Sequence, residues 1–102
     1  MEDDQLDRVL RALADPTRRR IINTLKRRSG QSLFELCVAS VAEGVGPLTR
    51  QAISRHLQVL QDAGIVTTRW KGRTKLHTLD EAPIHQAIGR VGVECTHGKG
   101  GK

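Results

Sequence analysis

Aliphatic side chains recur at Leu6, Val9, Leu10 and Leu13, the i, i+3, i+4, i+7 spacing that lines one stripe of a helix. Asp15-Pro16 follows, a capping side chain before a proline whose missing N–H is no loss at the first helical position. A second helix over about 16–28 is predicted, with Ile21, Ile22 and Leu25 turned inward. Ser32-Leu33-Phe34-Glu35 is a capping box, in which hydroxyl and carboxylate each satisfy a free backbone donor, and it opens a third helix through about Ala42. Glu43-Gly44-Val45-Gly46-Pro47 then breaks the helical pattern. Thr49 caps a fourth helix reaching Ala63, with Leu48 placed to pack on Ile53 as a hydrophobic staple. Gly64 stands where a left-handed residue is wanted, and Ile65 after it can touch Leu60, the pattern of a Schellman close. Residues 65–70 and 73–79 are rich in Val, Thr, Ile and Trp and flank Lys71-Gly72, which predicts a two-stranded hairpin. Asp80 caps a fifth helix, where Ile84, Ala87, Ile88 and Val91 make a second aliphatic stripe. The predicted order is therefore α-α-α-α-β-β-α.

Composition narrows what this pattern can be. At 102 residues the chain is one domain's worth, spanning roughly 3–93, and the Gly- and Lys-rich residues 94–102 are expected to form a flexible basic tail. Only Phe34 and Trp70 are aromatic, so few large side chains are available to seal a core, and dimerisation is expected to supply the missing burial. No apolar run approaches the roughly 20 residues needed to cross a bilayer, so no membrane association is expected. The acidic start Met1-Glu2-Asp3-Asp4 is unlike a secretory signal, which points to the cytoplasm. Two cysteines, Cys37 and Cys95, in a reducing compartment do not make a disulfide framework.

Charge is segregated along the chain. The formal net charge is +6, yet residues 1–15 hold five acids and two bases, while residues 48–80 hold six bases and two acids. Such a footprint suits a polyanion. Two helices joined by a Gly-containing connection and followed by a cationic hairpin make a mainly α winged helix-turn-helix. On the fourth helix, Ile53, Leu57 and Leu60 follow the 3.6-residue period and face the core, which leaves Arg50, Gln51, Ser54, Arg55 and Gln58 outward. Arg can take guanine O6 and N7 bidentately, Gln can take adenine N6 and N7, and Ser can serve base or phosphate. Arg50, Gln51, Ser54 and Arg55 are accordingly the candidate base contacts, with Thr49 and Gln58 beside them. His56 sits on the flank, where it either bonds a phosphate or satisfies a neighbouring backbone group. In the hairpin, Arg69, Lys71, Arg73 and Lys75 fall close together and either receive phosphate or protect a solvated edge strand. Lys26-Arg27-Arg28 has a structural reading without a ligand, because cations favour the last turn of a helix.

Over nearly its full length the chain resembles the ArsR/SmtB family of bacterial winged-helix repressors. The resemblance rests on Ala12-Leu13-Ala14-Asp15-Pro16-Thr17-Arg18, on Ala52-Ile53-Ser54-Arg55-His56-Leu57-Gln58-Val59-Leu60-Gln61-Asp62-Ala63-Gly64-Ile65-Val66, and on Lys71-Gly72-Arg73. It implies a homodimer on double-stranded DNA that blocks transcription until an effector releases it. It also implies that the first and last helices form the dimer interface, through Leu6, Val9, Leu10 and Leu13 with Ile84, Ile88 and Val91. The chain departs from the family pattern in the longer connection from Ala42 to Leu48, and in Glu35-Leu36-Cys37-Val38-Ala39, where Ala39 replaces the second cysteine of a thiol metal site.

One thiolate cannot hold arsenite or a soft metal. His85, Cys95 and His97, taken with Asp80, do not reproduce the carboxylate and imidazole pattern of the family's other site, so neither metal nor cofactor is expected. Cys37 reads as a small buried hydrophobe rather than a redox switch, and His77 and His85 as structural or surface histidines. The effector is not legible. A winged-helix module for protein or RNA, or a metal- or thiol-responsive repressor, is the competing class. No nucleophile–base pair, Gly-rich phosphate loop or carboxylate dyad stands at a meaningful spacing, so catalysis is not expected.

Overall fold

Helix α1 (Asp3–Leu13) and helix α2 (Pro16–Arg27) meet at Asp15, whose carboxylate accepts from the amides of Thr17 at 2.8 Å and Arg18 at 3.1 Å. The cap the sequence demanded is thus made, and proline occupies the first helical position. Burial opposes the charge on Asp15, but those amides and the Arg18 guanidinium outweigh it and hold the carboxyl below its ordinary range. The computed structural model describes residues 1–42 and 48–99.

Helix α3 (Leu33–Ala42) opens with the capping box that its sequence calls for: the Ser32 amide donates to Glu35 Oε1 at 2.9 Å, and the Glu35 amide donates to Ser32 Oγ at 3.1 Å. Arg28 Nη2 joins the same carboxylate at 2.7 Å, bridging α2 to α3. The Ser32 amide first, and then this guanidinium, holds the Glu35 carboxyl below its usual range despite some burial. The connection at 43–47, expected to break the helix, lies outside the described residues.

Helix α4 (Arg50–Asp62) starts on Thr49, whose hydroxyl accepts from the Ala52 amide at 3.0 Å. It stops in a Schellman close, with the Ile65 amide on Leu60 O and the Gly64 amide on Gln61 O, both at 2.9 Å. Gly64 adopts φ +80°, the left-handed conformation this close requires. Ile53, Leu57 and Leu60 are buried, together with Val9 and Ala12 of α1, Ile21, Ile22 and Leu25 of α2, and Leu36 of α3. Leu48, the residue placed for a staple, is partly buried and packs against this core. Each buried Ile or Leu contributes roughly 2 kcal/mol, against about 1 kcal/mol for a cap, so the aliphatic stripe sets how α4 is rotated and the cap sets where it begins.

Strands β1 (Val66–Lys71) and β2 (Thr74–Leu79) pair antiparallel from Val66 opposite Leu79 to Lys71 opposite Thr74. Two details differ from the sequence-based expectation. Ile65 belongs to the helix close, so the first strand starts one residue later. The two-residue loop is Gly72-Arg73 rather than Lys71-Gly72, because Gly72, at φ +63°, fits the first central position of a hairpin turn and Arg73 keeps negative φ.

Gln31 locks the hairpin to the helices. It pairs with His77 as a short third strand, donating to His77 O at 3.1 Å and accepting from the His77 amide at 2.7 Å. Its buried side-chain amide donates to the carbonyls of Arg28 at 2.6 Å and Thr24 at 3.3 Å, satisfying the end of α2. His77 is buried, and its Nδ1 lies 3.0 Å from Gln31 O, an acceptor, so Nδ1 carries the proton. Burial, aided by the Lys75 charge, outweighs this hydrogen bond and lowers the His77 pKa. Of the two histidines expected to be structural or on the surface, His77 is structural and His85 is exposed, 3.7 Å from Glu81.

Helix α5 (Ala82–Lys99) begins where Asp80 Oδ1 accepts from the Ala82 amide at 3.0 Å. It continues past residue 93, where the domain was expected to end, and residues 100–102 of the expected tail are outside the described residues. Arg90 ties α5 to the chain start, reaching Met1 O at 2.7 Å and Asp3 Oδ1 at 2.8 Å. Among the described residues no helix is long and apolar enough to cross a membrane.

The lowered pKa of His77 gives the fold a pH dependence of definite sign. Because the folded state disfavours protonation, the stability that neutral His77 contributes is complete above its ordinary value of 6.5 and is lost as pH falls below it. Thermal melts between about pH 7 and pH 5 should show wild type losing stability more steeply than His77→Gln, and parallel losses would refute this.

Candidate nucleic-acid interface

The core-facing stripe of α4 fixes what its other side presents. Arg50, Gln51, Ser54, Arg55 and Gln58 are all exposed, and Thr49 precedes them at the helix start. Gln58 Nε2 is engaged by Asp62 Oδ1 at 3.0 Å, whereas Arg50 and Arg55 have no ion-pair partner among the described residues. Three cations elsewhere are paired: Arg28 with Glu35 at 2.7 Å, Arg90 with Asp3 at 2.8 Å and Lys26 with Glu81 at 3.8 Å. Lys26 and Arg28 therefore have structural partners, more specific than the helix-end role expected of them.

His56 is half-buried beside α2, and Arg18 Nη1 lies 3.3 Å from its Nδ1. A guanidinium can only donate, so Nδ1 accepts, and a neutral ring then carries its proton on Nε2. Arg18 is itself held by Ala12 O at 2.8 Å and Arg11 O at 3.0 Å, so it closes α1 and orients a side chain of α4 at once. Sequence reasoning missed this pair. The only trace of it was the spacing of Asp15 and Arg18 within one capped turn, which does not say what lies across the domain.

The hairpin register divides the four wing cations. Residues opposite one another share a face, so Lys75, opposite Trp70, lies on the face that His77 uses toward the core. Arg69 and Lys71 lie on the reverse face, and Arg69 Nη2 sits over the turn at Gly30, 3.7 Å from where a Cβ there would be. Arg73 occupies the loop. All four are exposed and lack ion-pair partners among the described residues, but they do not form one crowded patch as their spacing suggested. Arg73 and Lys75 instead join Arg50, Ser54, Phe34 and Trp70 around a cleft of about 350 Å³ between the hairpin, α3 and α4.

The expected interface on the first and last helices is partly open. Leu10, Ile88 and Val91 are exposed at 42%, 59% and 42%, while Leu6, Leu13 and Ile84 are half-buried. Val9 is fully buried in the chain's own core, in one cluster with residues of α2, α4 and α5, so it is not on the open side. Cys37 is half-buried rather than buried, and among the described residues no three His, Cys, Asp or Glu stand close enough to hold a metal. The side chains of Cys95 and His97 lie outside the described residues.

Comparison with known proteins decides what this arrangement belongs to. A helix-turn-helix domain model matches residues 13–69, from the end of α1 into β1. The solved structure of an ArsR-like transcriptional regulator from Rhodococcus sp. RHA1 superposes with a TM-score of 0.73 at 30% identity, covering 96% of this chain and 89% of that one. The chain belongs to the ArsR/SmtB family of winged helix-turn-helix transcriptional regulators. An uncharacterised HTH-type transcriptional regulator of Bacillus subtilis, YuzN, is 38% identical over 82 residues, 80% of this chain and 89% of its own. The HTH-type transcriptional regulator CmtR of Mycobacterium tuberculosis is 33% identical over 91 residues, 89% of this chain and 71% of its own. Within the ArsR/SmtB family, α3 and α4 are the helix-turn-helix and the hairpin is the wing.

An unpaired arginine at the middle of the outward face separates base reading from phosphate binding. Arg55→Ala should weaken binding to a specific operator by about 1–3 kcal/mol and leave affinity for unrelated duplex almost unchanged. Titrations that find equal losses on both would reassign Arg55 to a phosphate.

Proposed function

We propose that this ArsR/SmtB regulator acts in the cytoplasm as a homodimeric, sequence-specific repressor, not an enzyme, without a bound metal or cofactor. The observation that carries this reading is the pairing of a sealed aliphatic face of α4 with an outward face whose Arg50 and Arg55 have no internal partner among the described residues. Arg50, Gln51, Ser54 and Arg55 enter a major groove about 12 Å wide, which accepts one helix. Thr49, at the helix start, and Gln58 flank them. His56, with its Nε2 proton free of Arg18, suits a phosphate oxygen. Arg73 and Lys75 on the cleft side, and Arg69 and Lys71 on the reverse side, meet the backbone next to it.

Dimerisation is supported by the open aliphatic side of α1 and α5. Leu10, Ile88 and Val91 there are exposed beside the half-buried Leu6, Leu13 and Ile84, and a second copy related by a twofold axis would bury both sets. A symmetric pair of α4 helices then reads half-sites about one helical turn, or a multiple of it, apart. Ala39, two residues after Cys37, leaves α3 one thiolate, which supports a release mechanism other than thiolate metal binding on that helix.

Mobility shifts across a salt series test the interface directly. The wild-type slope of log affinity against log salt should be steep, and Arg73→Ala with Lys75→Ala should flatten it by about 0.9 for each phosphate that is no longer neutralised. An unchanged slope removes the wing from the interface. For the dimer, Ile88→Glu should yield folded monomers in sedimentation, because Ile88 is 59% exposed in the isolated chain, and should abolish operator binding. A variant that sediments as wild type would place the interface elsewhere.

A further inference from the structure

Two aromatic residues in the cleft between wing and reading helix have no role in the core. Trp70 is 68% exposed and Phe34 67%, although burying a large aromatic side chain is among the largest single gains open to a folding chain. Both line the cleft, whose other walls bring Arg50 and Ser54 from α4 with Arg73 and Lys75 from the hairpin, and among the described residues no carboxylate lines it. Lys75 stands directly opposite Trp70 in the strand pairing, so ammonium and indole belong to one face. The cleft therefore combines a flat apolar wall with three cations that have no ion-pair partner among the described residues. Its complement is a ligand that alternates anionic groups with apolar C–H faces. A phosphodiester strand has this character, with phosphates separated by deoxyribose rings.

We propose that this cleft clasps one sugar–phosphate strand of duplex DNA, with Trp70 against a deoxyribose and Arg73 and Lys75 on the phosphates either side. The inference rests on the DNA-binding reading and adds to it an uncharged wing contact. Its geometric basis is that a helix in the major groove and a hairpin at the adjacent minor groove straddle the strand that separates the two grooves. The cleft between those two elements is the path of that strand. An indole held there gains apolar burial without releasing a counterion, so it strengthens binding independently of salt.

Trp70 is the chain's only tryptophan, so its emission reports on this site alone. The full chain would be titrated with a duplex it selects from a randomised pool and with an unrelated duplex. Both should shift the emission and shield Trp70 from acrylamide quenching. Trp70→Ala should weaken both duplexes by roughly tenfold, the order of effect for removing an aromatic from a nucleic-acid surface, and leave the salt slope unchanged. Trp70→Phe should recover most of the affinity, and Lys75→Ala should instead reduce the slope by about 0.9. If wild type shifts duplex DNA but the emission stays constant and Trp70→Ala binds normally, the clasp is wrong and the DNA-binding reading stands. If wild type shifts neither duplex, both fall. A Trp70→Ala chain that melts far below wild type and is not restored by Phe would assign Trp70 to wing stability and overturn the clasp.

Discussion

Burial of Ile53, Leu57 and Leu60 is the constraint on which the rest of this molecule depends. These three side chains seat α4 against α1, α2 and α3, and their combined burial is several times the contribution of any single cap or ion pair here. The helix cannot rotate about its axis without exposing them. Its polar face is consequently held toward solvent by the core and not by any interaction of its own. Arg50 and Arg55 can remain unpaired because their orientation costs them nothing locally.

Long-range hydrogen bonds tie this helix and the hairpin to the rest of the domain. Gln5 Nε2 holds Ala63 O at 2.7 Å, which anchors the end of α4 to the chain's first helix. The Gln31–His77 pairing anchors the hairpin to the turn between α2 and α3 and places Trp70 and Lys75 beside the cleft. Arg18 spans α1, α2 and α4. Polar side chains with long reach thus join elements that the small aliphatic core, with only two aromatic residues in the chain, would otherwise hold loosely.

Charge is arranged on the same logic. Of the cations outside the candidate interface, Lys26, Arg28 and Arg90 are met by Glu81, Glu35 and Asp3. Those on α4 and the wing have no such partners among the described residues and keep their potential for an external anion. The acidic first helix lies against α5 through Asp3 and Arg90, so part of the negative charge of residues 1–15 is neutralised away from the interface.

Helix starts and stops were legible in the chain because they depend on neighbours in sequence. The Asp15 cap, the Ser32–Glu35 box, the Thr49 cap and the Gly64 close all form as their spacing required. So was the outward face of α4, since helical periodicity alone assigns Ile53, Leu57 and Leu60 to the core. Which stripe residues stay open was not legible: Val9 and Leu10 carry similar side chains, yet one packs inside the chain and the other faces solvent. The strand register was equally hidden, because only cross-strand pairing separates Lys75 from Arg69 and Lys71, and a one-residue shift of the turn exchanges faces. The Arg18–His56 pair, the Gln31–His77 lock and the cleft around Trp70 join residues far apart in the chain, and packing in three dimensions decided them.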